Sequence, residues 1–188
     1  MEIVVNDTQI LIDMHSCELL ELMKSSSIKF HTVDYVLSEL QKSPYSRPEI
    51  DQLVNENILI VHSFDEKDNA ELIRFYYQYR QYTNLSITDC AVLKYAKDYG
   101  YRLLTGDKKL RNQAENNGVM VSGILYLFDK FLEEKLITPH DMADKLEKLL
   151  SINTRLPKNI FENKIKELRK RSFAGTTPNN KITSQQDN

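Results

Sequence analysis

The sequence predicts a three-layer α/β fold, in which a parallel sheet of four to five strands is flanked by helices on both faces. Short β-branched and apolar runs alternate with helical patterns at least five times along the chain. Such alternation implies parallel pairing through right-handed crossovers. The chain has 188 residues, of which 41% are hydrophobic and 28% are charged. A core of ordinary size can therefore form without disulfides or structural metals.

The first part of the chain predicts three strands, each followed by helical segments. Asp7 with Thr8 offers an N-cap for the first helix, and Ser16 starts a second helical pattern. Thr32 is expected to cap a helix over residues 33–41. A loop with two prolines, SPYSRPE, precedes a short helix over residues 49–55. The predicted strands of this part are residues 3–5, 28–31 and 58–62.

The second part of the chain predicts two more strands among six helices. Gly100 and Gly118 are expected to end the helices that precede these strands. The predicted strands are residues 102–105 and 119–121. The predicted helices are residues 65–82, 86–99, 108–117, 124–134, 139–150 and 157–171. The polar, aperiodic residues 172–188 are expected to form a disordered tail.

The formal net charge of -2 does not indicate a strongly basic nucleic-acid binder. Any nucleic-acid site must therefore be a local basic patch. Cys17 and Cys90 lie in apolar helical patterns and are expected to be buried free thiols, which suits a reducing cytoplasm. The N-terminus resembles neither a signal peptide nor a membrane span. Four histidines show no metal-ligand spacing and are expected to be structural: His15, His31, His62 and His140.

Two aspartates follow predicted strands at the same edge of the sheet. Asp7 comes after the first strand, and Asp107 comes after the strand that ends near Thr105. Ligands of open α/β sheets bind at the carboxyl ends of the strands. Each aspartate could instead simply cap the helix that follows it. Two carboxylates at one edge weaken that alternative, because they repel each other unless a cation or a proton intervenes.

Two further acids lie on predicted helices. Asp89 precedes Val92, Leu93 and Ala96 on one helical face, so its carboxylate is expected to lie beside apolar surface, where a lone charge is costly. The alternative is a capping arrangement with Ser86 as N-cap. Glu39 lies at the margin of an apolar stripe, where an exposed glutamate is the commoner outcome. Asp13 and Asp34 are competing acids, and a helix-dipole role suffices for Asp34.

A cluster of these carboxylates would suit Mg²⁺ or Mn²⁺, which prefer oxygen ligands. Such ions can activate water and stabilise the attacking and leaving oxygens when a phosphodiester is cleaved. The sequence offers no credible catalytic triad, P-loop, GxGxxG motif or zinc pattern as another source of chemistry. The acids therefore indicate metal-dependent phosphodiester hydrolysis.

Substrate phosphates would need cations near the acids. Lys108, Lys109 and Arg111 directly follow Asp107 and are expected to contact nucleic acid. Arg102 and Lys97 are also not far in sequence. A second basic run could equally be a solvated helix face: Lys164, Lys166, Arg169, Lys170 and Arg171. The tyrosines of RFYYQYRQY could stack on bases, but core or partner-interface positions are preferred for them.

The segments VVNDTQILID, TVDYVLSEL, LSITDCAVLKYAKDYG and LLTGDKKLR resemble the PIN-domain family of metal-dependent nucleases, which includes VapC-type toxins. The resemblance covers about residues 3–125. It implies that Asp7, Glu39, Asp89 and Asp107 are the catalytic, metal-binding acids. Thr8, Ser86 and Thr105 are the expected supporting hydroxyl residues. Gln9 departs from the small polar residue or asparagine that is frequent in the family, which could weaken a water-mediated contact with the metal.

The resemblance implies a PIN-like nuclease domain over residues 1–125, a packed C-terminal helical extension over 126–171, and the tail over 172–188. It also implies a ribonuclease that uses Mg²⁺ or Mn²⁺ and acts as the toxin-like component of a toxin–antitoxin system. The expected partners are an RNA substrate, an antitoxin protein and a second copy of the chain, without a membrane. A non-catalytic RNA- or protein-binding module with the same fold is the alternative. A phosphatase or phospho-receiver domain would need paired acids near the first strand, where NDTQ has a single Asp.

Overall fold

A five-stranded parallel sheet forms the centre of the molecule, as the sequence predicts. The computed structural model describes residues 2–42 and 48–174. The strand order is β3-β2-β1-β4-β5, and all four neighbouring pairs are parallel. Val5 pairs with His31 on one side and with Leu103 on the other. The strands are β1 (Ile3–Asn6), β2 (Lys29–Val33), β3 (Leu59–His62), β4 (Arg102–Leu104) and β5 (Val121–Ser122).

Ten helices connect or follow the strands within the described residues. They are α1 (Thr8–Ser16), α2 (Leu22–Ser25), α3 (Asp34–Lys42), α4 (Pro48–Asn55), α5 (Glu66–Thr83), α6 (Ile87–Tyr99), α7 (Lys108–Asn116), α8 (Ile124–Glu133), α9 (Pro139–Ile152) and α10 (Lys158–Ala174). Gly100 adopts a left-handed conformation with φ of 68° at the end of α6, as predicted. Most of the predicted loop falls on residues 43–47, which lie outside the described residues, and Pro48 already begins α4.

The prediction that Thr32 caps a helix starting at Val33 is wrong. Both residues belong to β2, and α3 begins at Asp34. The Thr32 hydroxyl donates to the Asn6 carbonyl at 2.9 Å, and the Asn6 amide donates to the His31 carbonyl at 3.0 Å. The strand continues through Val33 because Thr32 and Val33 pair with Val61 and His62 of β3, while the two side-chain bonds tie β2 to β1.

The order of the strands places a crevice at the carboxyl ends of β1 and β4. From β1 the chain moves outward through β2 to β3, whereas β4 and β5 continue on the opposite side. Consecutive residues Val4 and Val5 point to opposite faces of the sheet and are both fully buried, so both faces are covered. Neighbouring strands whose connections run in opposite directions leave the crevice where open α/β sheets bind ligands.

The C-terminal helices share the core of the sheet. Leu146 and Leu149 of α9 and Phe161 and Leu168 of α10 belong to the same buried cluster as Val4 and Leu104. Helix α9 also contacts the connection between α1 and α2, because Lys145 and Lys148 donate to Glu18 at 2.8 and 2.6 Å. The division between the nuclease domain and the extension stays a prediction.

The basic run on α10 is largely neutralised by neighbouring acids. Lys164 pairs with Asp129 at 2.6 Å, and Arg169 pairs with Asp144 and Glu147. Arg171 pairs with Glu167 at 2.6 Å. The solvated helix face is thus the better interpretation of this run.

The structure also bears on the predictions for the cysteines, for a membrane span and for the C-terminal tail. Cys17 and Cys90 are buried free thiols, and burial raises the pKa of each to about 12. Among the described residues, none of the helices has both the length and the apolarity that crossing a membrane would require. Helix α10 continues to Ala174, and the rest of the predicted tail lies outside the described residues.

Leu146→Ala tests whether the C-terminal helices fold together with the sheet. Leu146 is fully buried, so its truncation is expected to lower the free energy of unfolding by about 2–5 kcal/mol. Ile152→Ala is the control on the same helix, since Ile152 is 54% exposed, and it should cost less than about 0.5 kcal/mol. Urea denaturation measures both. A separate low-stability transition for α9 and α10, with the main transition unchanged, would contradict a shared core.

Candidate active site

Three helices begin at the crevice, and each holds a carboxylate at its N-terminus. Asp7 is the N-cap of α1, and its Oδ1 accepts from the Ile10 N–H at 2.9 Å. Asp107 is the N-cap of α7, and its Oδ1 accepts from the N–H groups of Lys109 and Leu110 at 2.7 and 2.8 Å. Unpaired N–H groups and the helix dipole both favour a negative charge at these positions. Asp7 and Asp107 therefore each cap the helix that follows, as the alternative interpretation predicted.

Asp89 occupies the third helix start, within a complete capping box on α6. Its Oδ2 accepts from the Ser86 N–H at 2.8 Å, and its own N–H donates to the Ser86 hydroxyl at 3.0 Å. The carboxylate is half-buried rather than fully enclosed. The capping arrangement with Ser86, which the sequence offered as the alternative to a metal-binding role for Asp89, is thus present. It fixes the direction of the Asp89 carboxylate.

Glu39 approaches the site from α3 as an exposed side chain. Its Oε2 accepts from the Thr8 hydroxyl at 2.6 Å, across 31 residues of sequence. Thr8 is the first residue of α1 and follows Asp7 directly, so the bond brings Glu39 to the same helix start.

Asp89 lies within electrostatic reach of each of the other three predicted acids. Burial raises the pKa of Asp7 to about 7, hydrogen bonds from Thr105 and Ile10 oppose the rise, and the charges of Asp89 and Asp13 add to it. Burial also raises the pKa of Asp89, against its bonds to Ser86, and the charges of Asp107 and Glu39 raise it further. Asp89 therefore connects the other three acids electrostatically.

Thr105 connects two of the acids through its hydroxyl group. The side chain is fully buried at the end of β4. It hydrogen-bonds the Asp7 carboxylate and accepts from the Asp107 N–H at 3.0 Å. With Thr8 on Glu39 and Ser86 on Asp89, each predicted hydroxyl residue contacts one of the acids. Their supporting role stays a prediction.

The predicted acids offer carboxylate oxygens, which are the ligands that hard divalent cations prefer. Asp7 is a buried carboxylate whose ionisation is disfavoured by like charges, and a cation would relieve that repulsion. Across residues 2–42 and 48–174, no three His, Cys, Asp or Glu side chains are grouped so that they could hold a metal ion together. Mg²⁺ commonly binds through one or two carboxylates and keeps several waters, and metal binding by these residues stays a prediction.

Sequence comparison identifies the fold family. The family model described as a PIN domain (DUF3368) matches residues 3–170. The chain belongs to the PIN-domain family.

Members of the PIN-domain family are generally nucleases. A comparison with curated proteins gives no match. Among solved structures, the chain is similar to a PilT N-terminus domain protein from the archaeon Sulfolobus solfataricus P2, with 20% identity over 70% of this chain and 94% of that one and a TM-score of 0.48. It is also similar to the structure of VapBC2 from Rickettsia felis bound to a DNA fragment from their promoter. The identity is 20% over 64% of this chain and 98% of that one, and the TM-score is 0.43.

This PIN domain carries a fifth acid beside the site, Asp13, which is almost fully buried. Its carboxylate accepts from the Gln9 amide at 2.8 Å and from the Asn153 amide at 3.1 Å. Burial raises the pKa of Asp13, and the bonds to Gln9 and Asn153 oppose the rise. The i,i+4 spacing of Gln9 and Asp13 could have suggested their contact. Nothing local predicts Asn153, which is 140 residues away.

The predicted cations do not act alike. Lys108 and Lys109 are exposed beside Asp107. Arg111 is half-buried and donates to the Thr105 carbonyl at 3.0 Å, so it braces the loop that carries Asp107. Arg102 begins β4, pairs with Glu2 at 2.8 Å, and so lies at the other edge of the sheet. Lys97 bonds to Asn117 near the end of α6.

The tyrosines of α5 have mixed surroundings. Tyr76 packs against the core, and the Tyr79 hydroxyl donates to Asn117 at 2.9 Å. Tyr77 and Tyr82 are exposed. The predicted core position is therefore confirmed for Tyr76. For Tyr77 and Tyr82, contact with a partner stays a prediction.

Asp7→Asn is expected to flatten the pH dependence of stability in metal-free protein. Because the pKa of Asp7 is raised from 3.8 to about 7, the unfolded chain loses this proton first as pH rises. Stability should therefore fall between about pH 4 and pH 7, by roughly 4 kcal/mol at most, and Asn removes this loss while it still accepts from Ile10.

Urea denaturation in EDTA across pH 4–8 measures the effect. Asp65→Asn is the matched control, because Asp65 is an exposed N-cap that accepts from the Asp68 N–H. The control should keep the wild-type slope. An Asp7→Asn curve parallel to wild type would contradict the raised pKa.

Proposed function

We propose that this protein is a ribonuclease that depends on Mg²⁺ or Mn²⁺ and hydrolyses phosphodiester bonds. The observation that supports the proposal is that Asp89 lies within electrostatic reach of Asp7, Asp107 and Glu39, beside the crevice between β1 and β4. They come from four separate segments of the chain, and three of them sit at helix starts. Membership of a family of nucleases agrees with this chemistry.

The four acids are the proposed ligands and catalytic groups. A bound divalent ion would supply activation of the attacking water and stabilisation of the charge that develops on the phosphate oxygens. The chain's own part is to hold the carboxylates in place. Asp7 and Asp107 are fixed by backbone N–H groups, and Asp89 is fixed by Ser86. Preorganised groups of this kind need little rearrangement when the substrate binds.

Substrate phosphates would be met by the start of α7. Lys108 and Lys109 are exposed next to Asp107 and can reach outward to a nucleic-acid backbone. Arg111 is the weaker candidate, since its guanidinium is engaged with Thr105. A local patch of this kind is consistent with a chain whose net charge is -2.

We further propose that the protein is the toxin-like component of a toxin–antitoxin system in the cytoplasm. The family resemblance supports this role, since VapC-type toxins belong to the PIN-domain family. Expression of the wild type in cells is expected to arrest their growth. Co-expression of a protein encoded beside it is expected to relieve that arrest. An antitoxin and a second copy of the chain are the corresponding partners.

The second candidate function is a non-catalytic RNA- or protein-binding module. This candidate is favoured because the described residues contain no group of three His, Cys, Asp or Glu side chains that could hold a metal ion together. Metal titration separates the two candidates. A folded protein that binds no Mn²⁺ at millimolar concentration would support the module.

Asp89→Asn is expected to abolish RNA cleavage with the fold retained. Asn can still accept from the Ser86 N–H, and the bond to the Ser86 hydroxyl comes from the backbone N–H of residue 89, so both bonds of the capping box are kept and only the charge is lost. Loss of a metal-binding carboxylate should reduce the rate by at least about 100-fold. EDTA should abolish wild-type cleavage, and excess Mn²⁺ should restore it.

Asp98→Asn is the control, because Asp98 is an exposed aspartate near the other end of the same helix, paired with Lys94. It should cleave RNA as the wild type does. Cleavage that persists in EDTA, or in the Asp89→Asn variant, would reject the proposed mechanism.

A further inference from the structure

A cleft of about 590 Å³ opens beside the acids, and we propose that it binds one unpaired nucleotide of the substrate. This inference rests on the proposed ribonuclease function and adds a substrate subsite to it. The cleft lies between α1, the loop from β4 to α7, the start of α8 and the connection from α9 to α10. Its volume falls within the range of about 300–1,000 Å³ that is typical of small-ligand pockets.

The cleft is continuous with the proposed catalytic centre. Thr105 and Asp107 line it on one side, and both belong to the acidic site. Gln9 and Asp13 line it from α1, about half a turn and nearly two turns beyond Asp7. A nucleotide in the cleft would therefore lie next to a phosphate held at the acids.

The interior of the cleft is mainly apolar. Ile10, Ile124 and Phe161 form buried walls, and Leu156 and Ile160 complete the side that belongs to the C-terminal helices. Such a surface suits the flat face of a nucleobase better than a second phosphate. A base can enter only if it has left its stack, so the cleft favours single-stranded nucleic acid.

The rim carries cations that suit a phosphate backbone. Lys108 and Arg155 both line the cleft and are exposed. Within the described ranges 2–42 and 48–174, their side chains form no hydrogen bond or ion pair with other residues. Asp13, the acid on the opposite wall, is already satisfied by the amides of Gln9 and Asn153. The cleft thus joins an apolar interior to two available positive charges.

Hydrogen bonds of Asn153 hold the connection from α9 to α10 in place beside the cleft. The Asn153 amide donates to both oxygens of Asp13, and the Asn153 side-chain oxygen accepts from the Arg155 N–H at 3.1 Å. The same residue therefore anchors the C-terminal helices to α1 and orients the segment that carries Arg155. The C-terminal helices contribute a wall of the substrate site.

Binding of a labelled single-stranded RNA to the inactive Asp89→Asn protein tests the proposal without cleavage. Arg155→Ala should weaken binding about tenfold and reduce the salt slope by roughly 0.7, because one phosphate contact is lost. Ile160→Trp should fill the cleft, weaken binding about tenfold and leave the salt slope unchanged. An abasic nucleotide at the bound position should weaken binding to the Asp89→Asn protein and have no added effect on the Ile160→Trp variant.

The controls are Arg74→Ala and Ile73→Trp on α5, outside the cleft. Arg74 is an exposed arginine like Arg155, and Ile73 is 47% exposed against 56% for Ile160. Both controls should bind RNA within about twofold of the parent protein. Cleft variants that bind as tightly as these controls would overturn the nucleotide site, as would a peptide or an RNA duplex that binds the cleft better than single-stranded RNA.

Cleavage by the protein with Asp89 intact separates this inference from the proposed function. If that protein cleaves RNA and the cleft variants bind RNA normally, the subsite is wrong and the ribonuclease assignment stands. If it does not cleave RNA but Arg155→Ala and Ile160→Trp weaken binding as described, the ribonuclease assignment fails and the subsite is supported.

Discussion

The candidate site depends on one constraint, which is that carboxylates are crowded at the carboxyl edge of a parallel sheet. Asp7, Asp89 and Asp107 each sit at a helix start that supplies N–H donors. These donors favour the ionised form of each carboxylate, whereas burial and the neighbouring charges oppose it at Asp7 and Asp89. A divalent cation at this edge would relieve that opposition, which is why we propose one as the ligand.

The same arrangement explains how capping and function coexist in these aspartates. A capping aspartate is immobile because its oxygen is bound to the backbone, and an immobile carboxylate is what a metal site requires. The cost falls on stability, since a buried Asp7 with its pKa raised to about 7 is unfavourable when ionised. Burial of Leu146 and the rest of the shared core offsets this cost. We interpret the site as a local loss of stability retained for binding.

Sequence reasoning recovers the parallel sheet, most of the helices and the placement of Asp7 and Asp107 because these follow from local patterns. Alternating apolar runs and N-cap residues are local signals. The prediction for Thr32 fails because a threonine before a helical pattern is a plausible cap, whereas Thr32 and Val33 pair with Val61 and His62 of β3. For Asp89, the capping box and the electrostatic contact with the other acids both occur, and sequence alone had set one against the other.

The contacts that sequence reasoning missed are long-range. The bond between Asp13 and Asn153 spans 140 residues, and the cleft combines α1 with the connection between α9 and α10. Neither follows from periodicity or from spacing. Arg155 has no local feature that distinguishes it from other exposed arginines, and we propose a role for it only because it lines the cleft. The C-terminal helices thus look like an addition in the sequence, whereas in the fold they share the core and line the cleft beside the acids.

Calorimetric titration of Mn²⁺ into the metal-free protein at pH 7 tests the central claim most directly. Repeating the titration in buffers with different ionisation enthalpies counts the protons released. Because the pKa of Asp7 is about 7, a cation bound at this carboxylate should release up to about half a proton at that pH. Asp7→Asn should bind Mn²⁺ more weakly and release no proton. No Mn²⁺ binding by the wild type, or equal binding and proton release in the Asp7→Asn variant, would contradict the account.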